Sequence, residues 1–167
     1  IIKDINKKKP WDSEMELLGF NYRMTDIQAA LGTSQLKKLN LFVNKRQKIA
    51  EYYDRHFKGI IEIRRQTVDK NNKSSYHLYP VLIDFKKINQ KKEKLFSFLK
   101  KKKINLQVHY KPTYKFNYYR KVKFLKCKSM KNSEIFYKQE VSLPVYVGLP
   151  KQTQKRIINF IKSFVLK

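Results

Sequence analysis

Asn21, Tyr22 and Arg23 form an unbroken block of hydrogen-bonding side chains just ahead of a Thr25-x-x-Gln28 pair. The Thr/Gln spacing is a capping box, so a helix is expected to begin after Thr25. Amide, phenol and guanidinium groups at that point suit an anion such as a phosphate. The first N–H groups of a helix lack intrahelical partners, and its dipole is positive at that end. The same spacing also describes an ordinary capped helix with a polar lead-in loop, and spacing alone leaves both readings open.

A second candidate lies downstream. Residues 104–110 alternate, so that Ile104, Leu106 and Val108 form an apolar row and Asn105, Gln107 and His109 fall on the opposite face. His109 is thereby turned away from the core, a placement that a plain surface histidine shares, and Tyr110 follows it. His56 and His77 read as structural, and the spacing of the histidines supports no metal site. Cys127 is the only cysteine and sits among Lys123, Lys126 and Lys128. It closes no intrachain disulfide, which fits a reducing compartment, and with no histidine near it in sequence it does not read as a catalytic thiol.

The elements that position these groups follow from periodicity. Residues 1–16 read as a loop punctuated by Pro10, Trp11 and Asp12, with Leu17 and Leu18 leading into the polar block. The helix after Thr25 opens with Ala29, Ala30, Gly32, Thr33 and Ser34, a small-residue face that another backbone could approach. A long helix follows, broken near Asn40, with Leu39, Phe42, Val43, Ile49, Tyr53 and Phe57 on its apolar stripe and Gly59 as its stop. Residues 64–75 read as an exposed connection. Residues 76–84 form a strand candidate in which Pro80 indicates an edge or a bulge. Helices are expected over 91–103, 133–138 and beyond Pro150, the last with Ile157, Ile161, Phe164 and Val165 on one face. Aromatic loop residues, Tyr114, Phe116, Tyr118 and Tyr119, fill the interval after Tyr110, and residues 141–149 are extended. The alternation of helix and strand after residue 59 describes a small α/β domain.

Composition bounds the function less than its charge first indicates. The 167 residues carry a formal charge of +26, which points toward nucleic acid, an acidic membrane surface or an anionic ligand. Yet only seven of the 39 basic residues are arginine, the side chain suited to bidentate recognition. Lys, Ile, Asn, Phe and Tyr are together the residues of A/T-rich codons, so a biased genome yields the same excess. Within residues 1–30, five basic and five acidic residues cancel, and the charge lies downstream of the polar block. No apolar run approaches the ~18 residues that span a bilayer, so a soluble, cytoplasmic protein is expected. The opening Ile and the charged stretch 3–10 read as the middle of a longer sequence.

The string Leu18-Gly-Phe-Asn-Tyr-Arg-Met-Thr-Asp-Ile-Gln-Ala-Ala-Leu-Gly32, followed by Ser34-Gln-Leu-Lys-Lys-Leu39 and Arg46, resembles the DegT/StrS group of pyridoxal-phosphate-dependent nucleotide-sugar aminotransferases. Supporting segments are Tyr76-His-Leu-Tyr-Pro80, Gln107-Val-His-Tyr-Lys-Pro112, Tyr118-Tyr119, Ser142-Leu-Pro144 and Gly148-Leu149. Within the group, the stretch 108–112 with Tyr114 and the Tyr118-Tyr119 pair is most similar to enzymes that aminate C4 of a UDP-linked 4-keto-6-deoxy-N-acetylhexosamine in pseudaminic acid biosynthesis.

The resemblance implies the C-terminal part of a fold-type-I α/β enzyme. Residues 1–58 would end the large cofactor domain and form the long connecting helix, and residues 59–167 would form the small domain. It implies a homodimer with shared active sites, in which Asn21 reaches the pyridoxal 5'-phosphate of the neighbouring subunit. Arg23 would hold the anionic sugar nucleotide or the carboxylate of glutamate or 2-oxoglutarate. His109 would lie near the nucleotide sugar, with Tyr110 and Tyr22 as further substrate contacts. The Schiff-base lysine, the acid on the pyridine nitrogen and the small phosphate-binding hydroxyls fall upstream of Ile1 in the group's order. No catalytic residue is therefore expected in this chain, and the piece alone is expected to be inactive. Rival readings are a related enzyme acting on another keto-sugar, a dehydratase, a non-catalytic partner that completes another chain's site, and a basic nucleic-acid-binding module. Nucleic acid, a membrane and a metal are not expected.

Overall fold

The computed structural model describes the backbone of residues 2–4 and 13–15, and residues 17–121 and 130–167 in full. The chain divides into two compact units, Ile1–Leu39 and Asn40–Lys167.

In the first unit, β1 (Ile2–Asp4) pairs antiparallel with β2 (Ser13–Met15), Ile2 opposite Met15. The loop expected over residues 1–16 is thus in part a β-ladder, whose backbone pairing no side-chain periodicity announces over three-residue strands. Pro10, Trp11 and Asp12 lie outside the described residues. Helix α1 (Asp26–Leu36) starts at the expected capping box: the Gln28 backbone N–H donates to Thr25 Oγ1 at 3.3 Å, and the Thr25 N–H donates to Gln28 Oε1 at 3.0 Å. None of its residues is buried, and a Cβ on Gly32 would meet open space among the described residues.

A turn at Lys37 and Lys38 separates α1 from α2 (Leu39–Phe57), so the break falls just before Asn40 and soon after the weak helix formers Gly32, Thr33 and Ser34. Helix α2 ends where expected, at Gly59, whose φ of +83° a side chain would resist.

The second unit holds the core. Strands β3 (Ile63–Arg65), β4 (Tyr79–Ile83) and β5 (Glu140–Leu143) form an antiparallel sheet with β4 in the centre. The connection expected from residue 64 therefore begins with a strand, and its far end is tied down. Arg46 Nε and Gln47 Nε2 of α2 donate to the Ser75 and Ser74 carbonyls at 3.0 and 2.9 Å.

Pro80 sits in the central strand, and the register explains how. Strand β3 ends with Arg65 opposite Val81, one residue short of Pro80. On the other side Pro80 faces Ser142, whose backbone N–H and C=O are both engaged with Gln107 instead. Position 80 is a local edge within a central strand, and no ladder bond is lost.

Alternate residues of β4, Tyr79, Val81 and Ile83, are buried with Ile49, Tyr53 and Phe57 of α2, Leu95 and Leu99 of α3 (Lys92–Lys101), and Ile157, Ile158 and Ile161 of α6 (Lys151–Val165). Each such side chain contributes about 1.5–3 kcal/mol by leaving water. The aromatic interval after Tyr110 is not loop alone, since it holds a 3₁₀ turn at Thr113–Lys115 and α4 (Asn117–Arg120). The helix expected over 133–138 is α5 (Lys131–Gln139). Tyr114 and Lys115 both bond Glu134 of α5, and these bonds hold its carboxyl below the usual carboxylate range. Cys127 and the lysines around it lie outside the described residues.

Candidate functional site

In the first unit the polar block is organised by its own hydrogen bonds. Asn21 Oδ1 accepts from the Arg23 backbone N–H at 3.1 Å and from Arg23 Nε at 3.4 Å. With the carbonyl end of the amide engaged, its NH2 end is the one that can donate onward, beside the terminal nitrogens of the Arg23 guanidinium. Both side chains are exposed, two to four residues before the Thr25 cap of α1. Amide donors, a guanidinium and the positive end of an 11-residue helix make a donor set that a phosphate group fits. Tyr22 is 86% exposed, with its ring against Phe20 at 5.8 Å. Around the block Leu18, Phe20, Met24, Ile27, Leu31 and Leu36 are also exposed.

In the second unit His109 and Tyr110 open onto one cavity of about 370 Å³, shared with His77, Asn105, Gln107, Ser142 and Tyr146. The alternation read from the sequence holds in part: Ile104 and Leu106 are buried, and Asn105, Gln107 and His109 face the cavity, but Val108 is only half-buried and lines a separate pocket with Lys92 and Phe96. The backbone is not a strand, however. It touches β5 through a single bridge, Gln107 to Ser142, with N–H to O distances of 3.4 and 2.9 Å.

His109 is held from both ends of one carboxylate. Its backbone N–H donates to Glu140 Oε2 at 2.9 Å, and its Nδ1 lies 2.8 Å from Ser142 Oγ, which donates to Glu140 Oε1 at 2.6 Å. The Tyr110 ring meets the imidazole edge-on at 4.6 Å. Sequence reasoning missed His77 as a cavity residue, because its neighbours give no period that pairs it with His109. It also missed Glu140 and Ser142, whose only signal was their i, i+2 spacing on one strand face.

His56 stays structural, its Nδ1 2.8 Å from the Tyr52 carbonyl within α2. Among the described residues no cluster of three or more His, Cys, Asp or Glu is placed to hold a metal, and no helix is long and apolar enough to cross a membrane.

A three-stranded sheet with flanking helices, preceded by a long helix and a capped polar loop, is the C-terminal architecture of a fold-type-I aminotransferase. The model of the DegT/DnrJ/EryC1/StrS aminotransferase family matches residues 2–162, and the chain belongs to that family. It is 44% identical over 163 residues to a UDP-4-amino-4,6-dideoxy-N-acetyl-beta-L-altrosamine transaminase of Campylobacter jejuni, covering 98% of this chain and 43% of the relative. Among solved structures it is similar to PseC, a Helicobacter pylori aminotransferase involved in the biosynthesis of pseudoaminic acid. That match has a TM-score of 0.82 and 32% identity, over 99% of this chain and 43% of that one. The PLP form of the Streptococcus pneumoniae sugar aminotransferase Spr1654 also matches, with a TM-score of 0.77 and 26% identity, over 93% and 39% of the two chains. The chain thus spans less than half the length of the relatives it matches.

Proposed function

We propose that the protein to which this chain belongs moves an amino group from glutamate to C4 of a UDP-linked 4-keto-6-deoxy-N-acetylhexosamine with pyridoxal 5'-phosphate, in the cytoplasm. The observation that carries the reading is the donor set ahead of α1, in a chain 44% identical to a transaminase named for a UDP-4-amino-4,6-dideoxy sugar.

In this reading the Asn21 amide NH2 donates to the cofactor phosphate of the neighbouring subunit, and its carbonyl steadies Arg23. The Arg23 guanidinium takes the sugar nucleotide or the donor carboxylate, either of which suits a planar fork of donors. His109 and Tyr110, on the cavity with Asn105 and Gln107, receive the nucleotide sugar; Tyr22, on the first unit's loop, is kept as a further substrate contact on the resemblance to the group alone. The cofactor, when bound, supplies the electron sink that lets nitrogen pass between carbon skeletons. The lysine that carries it is taken to lie outside these 167 residues. The exposed apolar side chains of Leu18, Phe20, Met24, Ile27, Leu31 and Leu36 support burial of this unit against further protein, consistent with a homodimer that shares its active sites.

The test uses the full-length protein with cofactor bound. Glutamate is expected to bleach the absorption band of the bound aldehyde, and the keto-sugar is expected to restore it. An unchanged band after glutamate overturns the proposal.

A further inference from the structure

The hydrogen bonds around His109 determine which of its ring nitrogens carries the proton. Ser142 has one hydroxyl proton, and Oγ lies between two partners, His109 Nδ1 at 2.8 Å and Glu140 Oε1 at 2.6 Å. Against a Glu140 carboxylate, sending that proton to Nδ1 would leave two oxygens 2.6 Å apart facing each other with lone pairs only. Directed to Glu140, it leaves Oγ as an acceptor, and Nδ1 must then be the donor. The carboxylate is also committed on its other oxygen, which accepts the backbone N–H of the same histidine at 2.9 Å.

Glu140 is fully buried and Ser142 is 4% exposed, so the carboxylate end of this hydrogen-bonded chain lies out of solvent. The spacing of the two residues on β5 places both side chains on one face of the strand, and the Gln107–Ser142 bridge brings the chain of His109 alongside. Lys92 belongs to the same electrostatic neighbourhood. Burial pushes its amine below the usual lysine range while Glu140 pulls it back up, and its Nζ donates to the Tyr137 carbonyl at 2.9 Å.

We infer that Glu140 and Ser142 are positioning residues: they hold His109 as the Nδ1–H tautomer, so that Nε2 is an acceptor for a hydroxyl or N–H donor of the substrate in the cavity. The last step rests on the proposal that the nucleotide sugar occupies this cavity; the tautomer does not. A ring fixed this way reads a donor and rejects a bare acceptor at the same place, so selectivity is set by the groups that orient the histidine.

The experiment is long-range proton–nitrogen NMR of the full-length protein labelled at histidine nitrogen. It is run at about pH 8.5, two units above the ordinary histidine value. The His109 signal is assigned as the one lost in His109→Gln. Wild type is expected to show His109 as the Nδ1–H form. Ser142→Ala is expected to move most of the population to the Nε2–H form, and Ser142→Thr, which keeps the hydroxyl, to restore the wild-type pattern. The KM for the keto-sugar is expected to rise about tenfold in Ser142→Ala, the loss of one hydrogen bond. An Nε2–H signal in wild type overturns the inference whether or not any variant folds, as does an unchanged tautomer in Ser142→Ala. A tautomer that moves while KM stays put upholds the relay and overturns the substrate reading of the cavity.

Discussion

A side-chain amide has an acceptor end and a donor end, and Asn21 uses them for different tasks. Its carbonyl holds Arg23 through two hydrogen bonds, and the role proposed for its NH2 is to donate to the cofactor phosphate. Two variants separate these tasks. Asn21→Ala removes both and is expected to weaken cofactor binding about 10- to 100-fold, the cost of one hydrogen bond to a charged group. Asn21→Asp keeps the bonds to Arg23 but sets a carboxylate against the phosphate, and is expected to be worse than alanine. Equilibrium titration of the full-length protein with pyridoxal phosphate checks the order, and aspartate binding as well as asparagine would contradict the assigned role. Residue chemistry at this position was legible because donors, cap and helix start lie within one short string. Glu140 and Ser142 were not legible, because their meaning depends on a bridge between segments far apart in sequence.

At the scale of elements, the sheet is locked to α2 by phenols. Tyr79 of β4 donates to Asp54 Oδ1 at 2.6 Å, Asp54 also pairs with Arg65 of β3 at 3.3 Å, and Tyr53 donates to the Pro144 carbonyl at 2.9 Å. Burial pushes both phenols above the ordinary value of 10.0, and at Tyr79 the Asp54 carboxylate adds to the effect. Below about pH 10 both folded and unfolded chains keep these protons. Above it the unfolded chain releases them while the folded chain retains them, so stability falls as pH rises. Tyr79→Phe is expected to cost about 1–3 kcal/mol at neutral pH and to flatten that alkaline fall. Urea unfolding between pH 8 and 11 measures both, and an unchanged alkaline slope contradicts the assignment. Helices α2, α3, α5 and α6 were readable, since each covers two turns or more, and α1 was readable from its capping box; α4, a single turn, was not. The strands β1, β2 and β3 were not, since three residues give no period and their partners are set by the rest of the fold.

At the scale of the whole molecule, charge and apolar surface point in different directions. The +26 charge comes mostly from lysines, and those in the described segments lie on turns and loops as well as on helices. The exposed apolar surface around α1 is the more specific signal. It carries the motif string 18–32, so the residues that identify the family are also those whose surface this chain leaves uncovered. Composition alone pointed to a polyanion, whereas the ordered string pointed to a sugar aminotransferase, and the family match agrees with the string. The central claim is that the full-length protein aminates a keto-sugar at C4. Its most direct measurement is the product formed from glutamate, pyridoxal phosphate and the UDP-linked 4-keto-6-deoxy-N-acetylhexosamine, identified by mass and by proton NMR of the sugar ring. The account predicts an amine at C4, formed only when glutamate is present; recovery of unchanged keto-sugar, or of a dehydrated sugar, would contradict it.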